Sequence, residues 1–161
     1  MYQRSDVCHK APGAGSTQEV RMPDTREHLA LTHEGAAKVL EAAVRKGVEI
    51  EDPQCIAVTD DGGHLLAFAR MDGAKVLSID SAIAKAKTAA SSRRPTGDLS
   101  DELERRLAFA TQGKVTNLLG GLPIVMSGHV IGAIGVGSGT GEQDVEVARA
   151  GVSALAGAQS W

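Results

Sequence analysis

The stretch from Asp60 to Pro95 constrains the fold of this chain more than any other part of the sequence. It reads DDGGHLLAFARMDGAKVLSIDSAIAKAKTAASSRRP and follows the short β-rich run CIAVTD. The Gly62-Gly63 pair fits the turn of a β-hairpin between two such runs. Both faces of the second run, from His64 to Met71, are largely apolar. We therefore expect this strand to be covered on both sides, or on one side by another subunit.

Helices are predicted on either side of this hairpin in the chain. Apolar residues recur at helical spacing in each segment, and a Ser or Thr stands where an N-cap is expected. The expected N-caps are Thr32, Ser78, Ser100 and Thr140, and the first three helices are expected to end at Gly47, about Ser91 and Gly113.

About three further strands are predicted before the last helix. They comprise residues 115–119, residues 122–126 and the run HVIGAIGVG, which the Ser127-Gly128 pair joins to the preceding strand as a hairpin turn. Hairpin-linked strands separated by a pair of helices indicate an α+β domain, with one antiparallel sheet of about five strands flanked by helices.

Composition adds two constraints on the core of this domain. The chain has 161 residues, the size of one ordinary domain, and only 2% of them are aromatic although 42% are hydrophobic. The core must therefore be built from Ala, Val, Leu and Ile. We also expect Gly132, Gly135 and Gly137 to let another element lie flat on the strand that carries them.

The N-terminal segment differs from the rest of the chain. It is polar, lacks periodicity, and is punctuated by Pro12, Gly13, Gly15 and Pro23. We expect residues 1–30 to be an arm that lies on a neighbouring subunit, and residues 31–161 to be the folded domain.

Charge and hydropathy exclude two classes of partner. A formal net charge of -3 offers no basic surface for nucleic acid. No run of about 18 apolar residues can span a bilayer, and the N-terminus MYQRSDVCHK lacks the apolar core of a secretory signal. The two cysteines, Cys8 and Cys55, do not imply a disulfide framework. We expect a cytoplasmic protein with neither a membrane nor a nucleic-acid partner.

Arg70 and Asp72 mark the corner at the end of the second predicted strand. A guanidinium and a carboxylate at this place can hold a ligand carboxylate or orient a catalytic group. The alternative is a structural ion pair that fixes the turn, with Gly73 supplying a positive φ angle.

Lys85 lies on a polar stripe of the second predicted helix, together with Ser81 and Thr88. Neighbouring alanines leave space around it. A partly desolvated lysine in such a place can bind an anion or act as a base. Alternatively, its stem covers the alanines while its ammonium stays in water.

The remaining polar motifs are weaker. The run IGAIGVGSGTG lacks the Lys-Ser/Thr pair of a P-loop, although amides between Gly137 and Gly141 can meet an anion at the start of the following helix. The five histidines show none of the spacings typical of a zinc site, so no metal is predicted.

Several ordered motifs resemble the GlcG/HbpS-like family, which includes haem-binding proteins and the C-terminal domain of the PduO adenosyltransferase. They are GGHLLAFARMDGA, SIDSAIAKAKTAA with RRPT, GGLPIVMSGHVIGAIGVGSGTGEQD and ARAGVSAL, between Leu31 and Leu155. The resemblance implies an α-β sandwich similar to profilin-like and PAS-like domains, assembly into dimers or larger oligomers, and haem or another tetrapyrrole as a ligand.

The resemblance also implies a set of site residues. The recurring polar positions of the family fall on Arg70, Asp72, Ser78, Lys85 and Thr88, with Gly120, Gly121 and Pro123 shaping the pocket wall. Two departures are visible: Gly137-Ser138-Gly139 stands where the family often has Ser-Gly-Gly, and the export signal of its secreted haem-binding branch is lacking.

Three functional hypotheses remain at this point. The first is an oligomeric ligand-binding protein for a tetrapyrrole or a small carboxylated metabolite, held by Arg70 and Lys85. The second is a cofactor-independent lyase, hydrolase or isomerase of a catabolic pathway, with Lys85 as base, Arg70 as substrate clamp and Asp72 orienting it. The third is an assembly module without a ligand.

Overall fold

The structure, a computed structural model, describes Asp24 and residues 28–161. The expected arm over residues 1–30 therefore lies almost wholly outside the described residues, and its contact with a neighbouring subunit stays a prediction. The elements in chain order are α1 (His33–Glu49), β1 (Cys55–Asp60), β2 (Leu65–Arg70), α2 (Ser78–Ser92), α3 (Asp101–Ala110), β3 (Gly121–Met126), β4 (His129–Gly137) and α4 (Gly141–Ser153).

The predicted α+β architecture is confirmed. The described residues form one antiparallel sheet in the order β2-β1-β4-β3, with β1 and β4 at its centre. This sheet has four strands rather than about five. The expected strand over residues 115–119 is irregular backbone, so that prediction was wrong.

Side chains explain why residues 115–119 do not need a partner strand. The Oγ1 atom of Thr88 accepts a hydrogen bond from the Thr116 amide at 3.1 Å, and Thr96 donates its hydroxyl to the Leu118 carbonyl at 2.6 Å. Asn117 bonds both backbone groups of Leu99 through its side-chain amide. These contacts replace ladder hydrogen bonds, so the segment is held without joining the sheet.

Both predicted hairpin turns are present. The turn after Asp60 connects β1 to β2, and Gly63 there has a φ angle of 82°. Ser127 and Gly128 connect β3 to β4 with φ angles of 50° and 77°. Two successive positive φ angles match the twist of an antiparallel hairpin.

Helix ends agree with the sequence at three N-caps and differ at three other positions, one of which is the end of α3, at Ala110 rather than at Gly113. Thr32, Ser100 and Thr140 each accept a backbone N–H of the first turn, as predicted. Ser78 is instead the first helical residue of α2, after Leu77. Gly47 does not end α1, which continues to Glu49. Gly47 instead faces Met71, because a Cβ atom there would lie 2.9 Å from the Met71 sulfur.

The core has one layer on each face of the sheet. The apolar residues of α1 and α4 pack on one face, which includes Ile56 and Val58 of β1. The small residues of α2 pack on the opposite face, against Cys55 and Ala57. A Cβ atom on Gly135 would collide with the α2 backbone. The glycine therefore lets the helix lie flat on β4, as expected from sequence.

Helix α3 differs from the other helices because none of its residues is buried. Its Leu103 side chain is 44% exposed and its Phe109 side chain is 91% exposed. Within the described part of the chain, no helix has the length and apolar content that crossing a membrane requires.

Candidate functional site

The centre of the candidate site is a buried ion pair between Lys85 of α2 and Asp144 of α4. The Nζ atom of Lys85 lies 2.6 Å from Oδ2 of Asp144, and both side chains are only 4% exposed. Nζ also donates to the carbonyl of Val136 at 2.7 Å. An ammonium has three N–H donors, so one donor remains for a further acceptor.

The surrounding backbone leaves room for this pair. A Cβ atom on Gly120 would lie 3.2 Å from the Lys85 ammonium and 2.6 Å from the Asp144 Cβ atom. A Cβ atom on Gly121 would lie 2.6 Å from the Lys85 carbonyl. Glycine at both positions allows the loop before β3 to approach α2, so any side chain there would displace the ion pair or the helix.

The second carboxylate oxygen of Asp144 also accepts a hydrogen bond. Its Oδ1 accepts the Gly139 amide at 3.1 Å, and the Oε1 atom of buried Gln54 accepts the same amide at 3.3 Å. Burial raises the pKa of Asp144 above its ordinary value, while the bonds from Lys85 and Gly139 act in the opposite direction. Asp144 is therefore easier to protonate than an exposed aspartate.

A cavity of about 250 Å³ opens beside the ion pair, and we call it the Lys85 cavity. Its lining residues come from α2, the end of β4, the start of α4 and the segment before β3. They are Lys75, Ser78, Ser81, Lys85, Leu118, Leu119, Ser138, Gly139, Gly141 and Asp144.

The rim of the Lys85 cavity includes strained backbone. Ser138 has a φ angle of 114°, a region that a side chain rarely adopts. Lys75 holds it there: its amide donates to the Ser138 hydroxyl at 3.0 Å and its ammonium to the Ser138 carbonyl at 2.7 Å. The cavity thus has two ammonium groups, one carboxylate and the N-terminus of α4 in its wall, an arrangement that favours a small anion.

The structure places the predicted site residues in different surroundings. Lys85 and Ser78 line the Lys85 cavity. Thr88 is buried, but its hydroxyl is already used, because it donates to the Ala84 carbonyl at 2.8 Å and accepts the Thr116 amide. Arg70 and Asp72 are exposed and do not line the Lys85 cavity. Their roles in ligand binding stay predictions.

The corner between Arg70 and Asp72 is also not an ion pair. No described residue forms a salt bridge with either side chain. Gly73 has a φ angle of 94°, so the expected positive φ at this turn is confirmed.

Asp144 is the residue of the candidate site that could not be recognised from the sequence. The helical spacing of apolar residues in the last helix predicts an inward face at Val145, Ala148, Val152 and Leu155. The buried residues of α4 are Asp144, Val147, Ala148, Gly151 and Val152. A carboxylate that shares the helical spacing of a buried apolar face is a signal that could have identified it.

A second cavity, of about 640 Å³, lies at the C-terminus of the chain, and we call it the Trp161 cavity. The Trp161 indole N–H donates to the carbonyl of Pro123 at 2.8 Å, and the Gln159 amide donates to Val125 of β3 at 2.8 Å. The lining residues are His28, Leu29, Asp61, Arg93, Val125, Gly128, His129, Val130, Gln159 and Trp161.

Ionisable side chains are spread over the walls of the Trp161 cavity. The Nε2 atom of His28 lies 3.3 Å from the carboxylate of Asp61. His129 and Arg93 form no ion pair with another described residue. Among the residues that the structure describes, no three His, Cys, Asp or Glu side chains are grouped to hold a bare metal ion.

Comparison with known proteins confirms the resemblance seen in the sequence. Protein GlcG of Escherichia coli strain K12 is 39% identical over 107 residues, which are 66% of this chain and 80% of GlcG. The crystal structure of Klebsiella pneumoniae protein ORFY matches with a TM-score of 0.79 and 30% identity, over 83% of this chain and 96% of ORFY. The crystal structure of a PduOC:haem complex matches with a TM-score of 0.75 and 28% identity, over 82% of this chain and 99% of PduOC.

The family comparison covers most of the folded domain. The model described as "Haem degrading protein HbpS-like" matches residues 31–153. This range includes the four strands and four helices of the described residues, and both partners of the buried ion pair. The chain therefore belongs to the HbpS-like family.

Proposed function

We propose that this protein binds a small carboxylated metabolite in the Lys85 cavity. The observation that carries the proposal is the buried ammonium of Lys85, which lines a cavity and has one more N–H donor than its two acceptors in the described structure use. A carboxylate oxygen is a suitable third acceptor, since a charge-assisted hydrogen bond is stronger than a neutral one.

The size of the Lys85 cavity limits the ligand. Pockets for drug-sized molecules enclose about 300–1,000 Å³, whereas this cavity has about 250 Å³. The ligand is therefore a metabolite of a few carbon atoms. Ser78 and Ser81 in the wall offer hydroxyl groups for a polar substituent such as a 2-hydroxyl group.

The geometry supports binding better than base catalysis. The Lys85 Nζ atom donates to a carbonyl and to a carboxylate, and both contacts are made by the ammonium form. A base must lose a proton before it can accept one from the substrate, which would break one of these bonds. Catalysis by Lys85 with Arg70 as clamp would also need a guanidinium that does not line this cavity.

A crystal structure of the protein with glycolate, a carboxylate that does not react with protein side chains, tests the binding proposal. We expect the carboxylate of glycolate within hydrogen-bond distance of Lys85 Nζ. Glycolate density that lies only outside the Lys85 cavity would contradict the proposal.

Haem is the second ligand that we propose. A solved relative, 28% identical to this chain, was crystallised as a PduOC:haem complex, and the matching family is described as haem-degrading. The Lys85 cavity does not fit this group, because a tetrapyrrole is too large for about 250 Å³. The Trp161 cavity fits better: it has about 640 Å³ and two imidazoles, which are common ligands of haem iron.

We further propose that copies of the chain associate through α3. The Leu103 and Phe109 side chains of α3 are apolar and exposed in the described structure. Exposed Leu118 and Leu119 lie in the segment that follows α3. Burial of these side chains against a second copy would remove them from water.

A further inference from the structure

The Trp161 cavity combines an apolar wall with ionisable groups of both signs. Trp161, Val125 and Val130 provide apolar surface, and the indole ring is fixed by its hydrogen bond to the Pro123 carbonyl. The volume of about 640 Å³ is in the middle of the range for drug-sized ligands, about 300–1,000 Å³. Such a cavity suits a flat molecule that is apolar at its centre and anionic at its edge.

The two histidines in this cavity differ in whether their ring nitrogens contact another described side chain. The Nε2 atom of His28 is held by Asp61 at 3.3 Å. His129, the first residue of β4, forms no hydrogen bond through its side chain with another described residue and has both ring nitrogens available. A neutral imidazole with a free Nε2 atom is the usual protein ligand of haem iron.

A cationic group stands in the wall of the same cavity. Arg93 follows the last residue of α2 and has a left-handed backbone, with a φ angle of 58°. No described carboxylate pairs with its guanidinium. A guanidinium without a protein partner is suited to a bidentate contact with the carboxylate of a ligand.

We propose that the Trp161 cavity is a tetrapyrrole site, with His129 as the iron ligand and Arg93 as the partner of a propionate group. This assignment rests on the haem proposal above and adds the residues that carry it. It is independent of the Lys85 cavity, because the two cavities share no lining residue.

Titration with haemin and with metal-free protoporphyrin IX tests this assignment, using the full chain. Trp161 is the one tryptophan of the sequence, so its fluorescence reports on this cavity. Both ligands should quench Trp161 almost completely at a 1:1 ratio, and haemin should also show a shifted Soret band.

The histidine variants separate iron ligation from simple binding. In His129→Ala, we expect the Soret band to lose its histidine-ligated position while protoporphyrin IX still quenches Trp161. His28→Ala should keep the ligated Soret band. His64→Ala is the matched control, because His64 also pairs with a carboxylate, Asp60, at 3.0 Å but lines neither cavity.

Arg93→Ala provides the second arm of the test. Loss of one charge-assisted contact should lower the affinity for both haemin and protoporphyrin IX by about tenfold. His129→Ala and Arg93→Ala could both bind haemin with the Soret band and affinity of the unmodified protein. This result would overturn the proposed site but not haem binding itself. An unmodified protein that shows no Soret shift would overturn the haem proposal together with its site.

Discussion

The ammonium of Lys85 lies 2.6 Å from the carboxylate of Asp144, and this contact joins two helices that pack on opposite faces of the sheet. Taking two charges out of water costs several kcal/mol per ion, and an apolar pair of similar volume is often equally stable or more stable. A buried pair of this kind is therefore weak support for a purely structural role. Its position in the wall of a cavity agrees with a role in binding.

The first prediction concerns stability. Lys85→Met leaves the Asp144 carboxylate buried without its counter-charge, so the free energy of unfolding should fall by about 3–5 kcal/mol. Lys85→Met combined with Asp144→Asn removes both charges and should recover at least about 2 kcal/mol of that loss. Urea unfolding of the single and double variants measures both values. Equal losses in Lys85→Met and the double variant would show that the two side chains are not coupled.

The second prediction concerns the pH dependence of ligand binding. Because burial raises the pKa of Asp144, this carboxylate takes up a proton in the folded protein at a higher pH than an ordinary aspartate. Protonation removes the competitor for the Lys85 ammonium. The affinity for methanesulfonate, which stays anionic in this range, should therefore rise as the pH falls towards the pKa of Asp144.

Asp144→Asn is the control for this pH profile. The variant has no carboxylate at this position, so its affinity for methanesulfonate should be flat over the same pH range. An unmodified protein whose calorimetric titrations show no rise at lower pH would contradict the assignment to Asp144.

The raised pKa of Asp144 also predicts how the stability of the protein changes with pH. A raised folded-state pKa means that the folded protein binds more protons than the unfolded chain at intermediate pH. The contribution of Asp144 to the free energy of unfolding should therefore rise as the pH falls through its folded pKa, and level off below the ordinary value of 3.8. Thermal unfolding of the unmodified protein minus that of Asp144→Asn isolates this contribution, and a difference that falls with decreasing pH would contradict it.

Another prediction concerns the contact between α2 and β4. A Cβ atom on Gly135 would meet the backbone of Ala82 and Ala86, which cannot rotate away as a side chain can. Gly135→Ala should destabilise the protein by about 3 kcal/mol or more through overpacking.

Gly113→Ala is the control, since a Cβ atom there meets nothing within 4 Å and only the positive φ angle of 77° opposes it. The control should cost about 1–2 kcal/mol. Equal denaturation midpoints for the two variants would refute the close helix-strand contact.

The exposed apolar side chains of α3 predict how copies of the chain associate. Leu103→Asp combined with Phe109→Asp should lower the mass measured by analytical ultracentrifugation to that of a single chain, because charged residues are costly in an apolar interface. Val48→Asp is the matched control, since Val48 is also exposed but lies on α1. An oligomer that survives both changes on α3 would exclude this face as the interface.

Local chemistry allowed much of the fold to be predicted from the sequence. The Gly62-Gly63 and Ser127-Gly128 turns and the Thr32 N-cap depend on residues within a few positions of each other, so their signals are complete in a short stretch. Residues 115–119 were misread as a strand because Thr88 and Thr96, which satisfy this segment, come from elsewhere in the chain.

The candidate site was harder to predict than the fold, for a related reason. The sequence allows two alternatives for Lys85: a partly desolvated lysine, or a lysine whose ammonium stays in water. The residue that decides between them, Asp144, is 59 positions away. Spacing along one helix shows which face a lysine occupies, but a partner on another helix is fixed only when the sheet brings both together.

Calorimetric titration with glycolate and acetate measures whether the Lys85 ammonium binds a small carboxylate. The titration compares the unmodified protein, Arg70→Ala, and Lys85→Met combined with Asp144→Asn. We predict saturable 1:1 binding of at least one of the two acids by the unmodified protein. Loss of the ammonium should weaken this binding at least about tenfold in the double variant. Arg70→Ala should stay within about twofold, because Arg70 lines neither cavity. Full affinity in the double variant, or a tenfold loss in Arg70→Ala alone, would contradict ligand binding by Lys85. The second result would instead support the role predicted for Arg70 from the sequence.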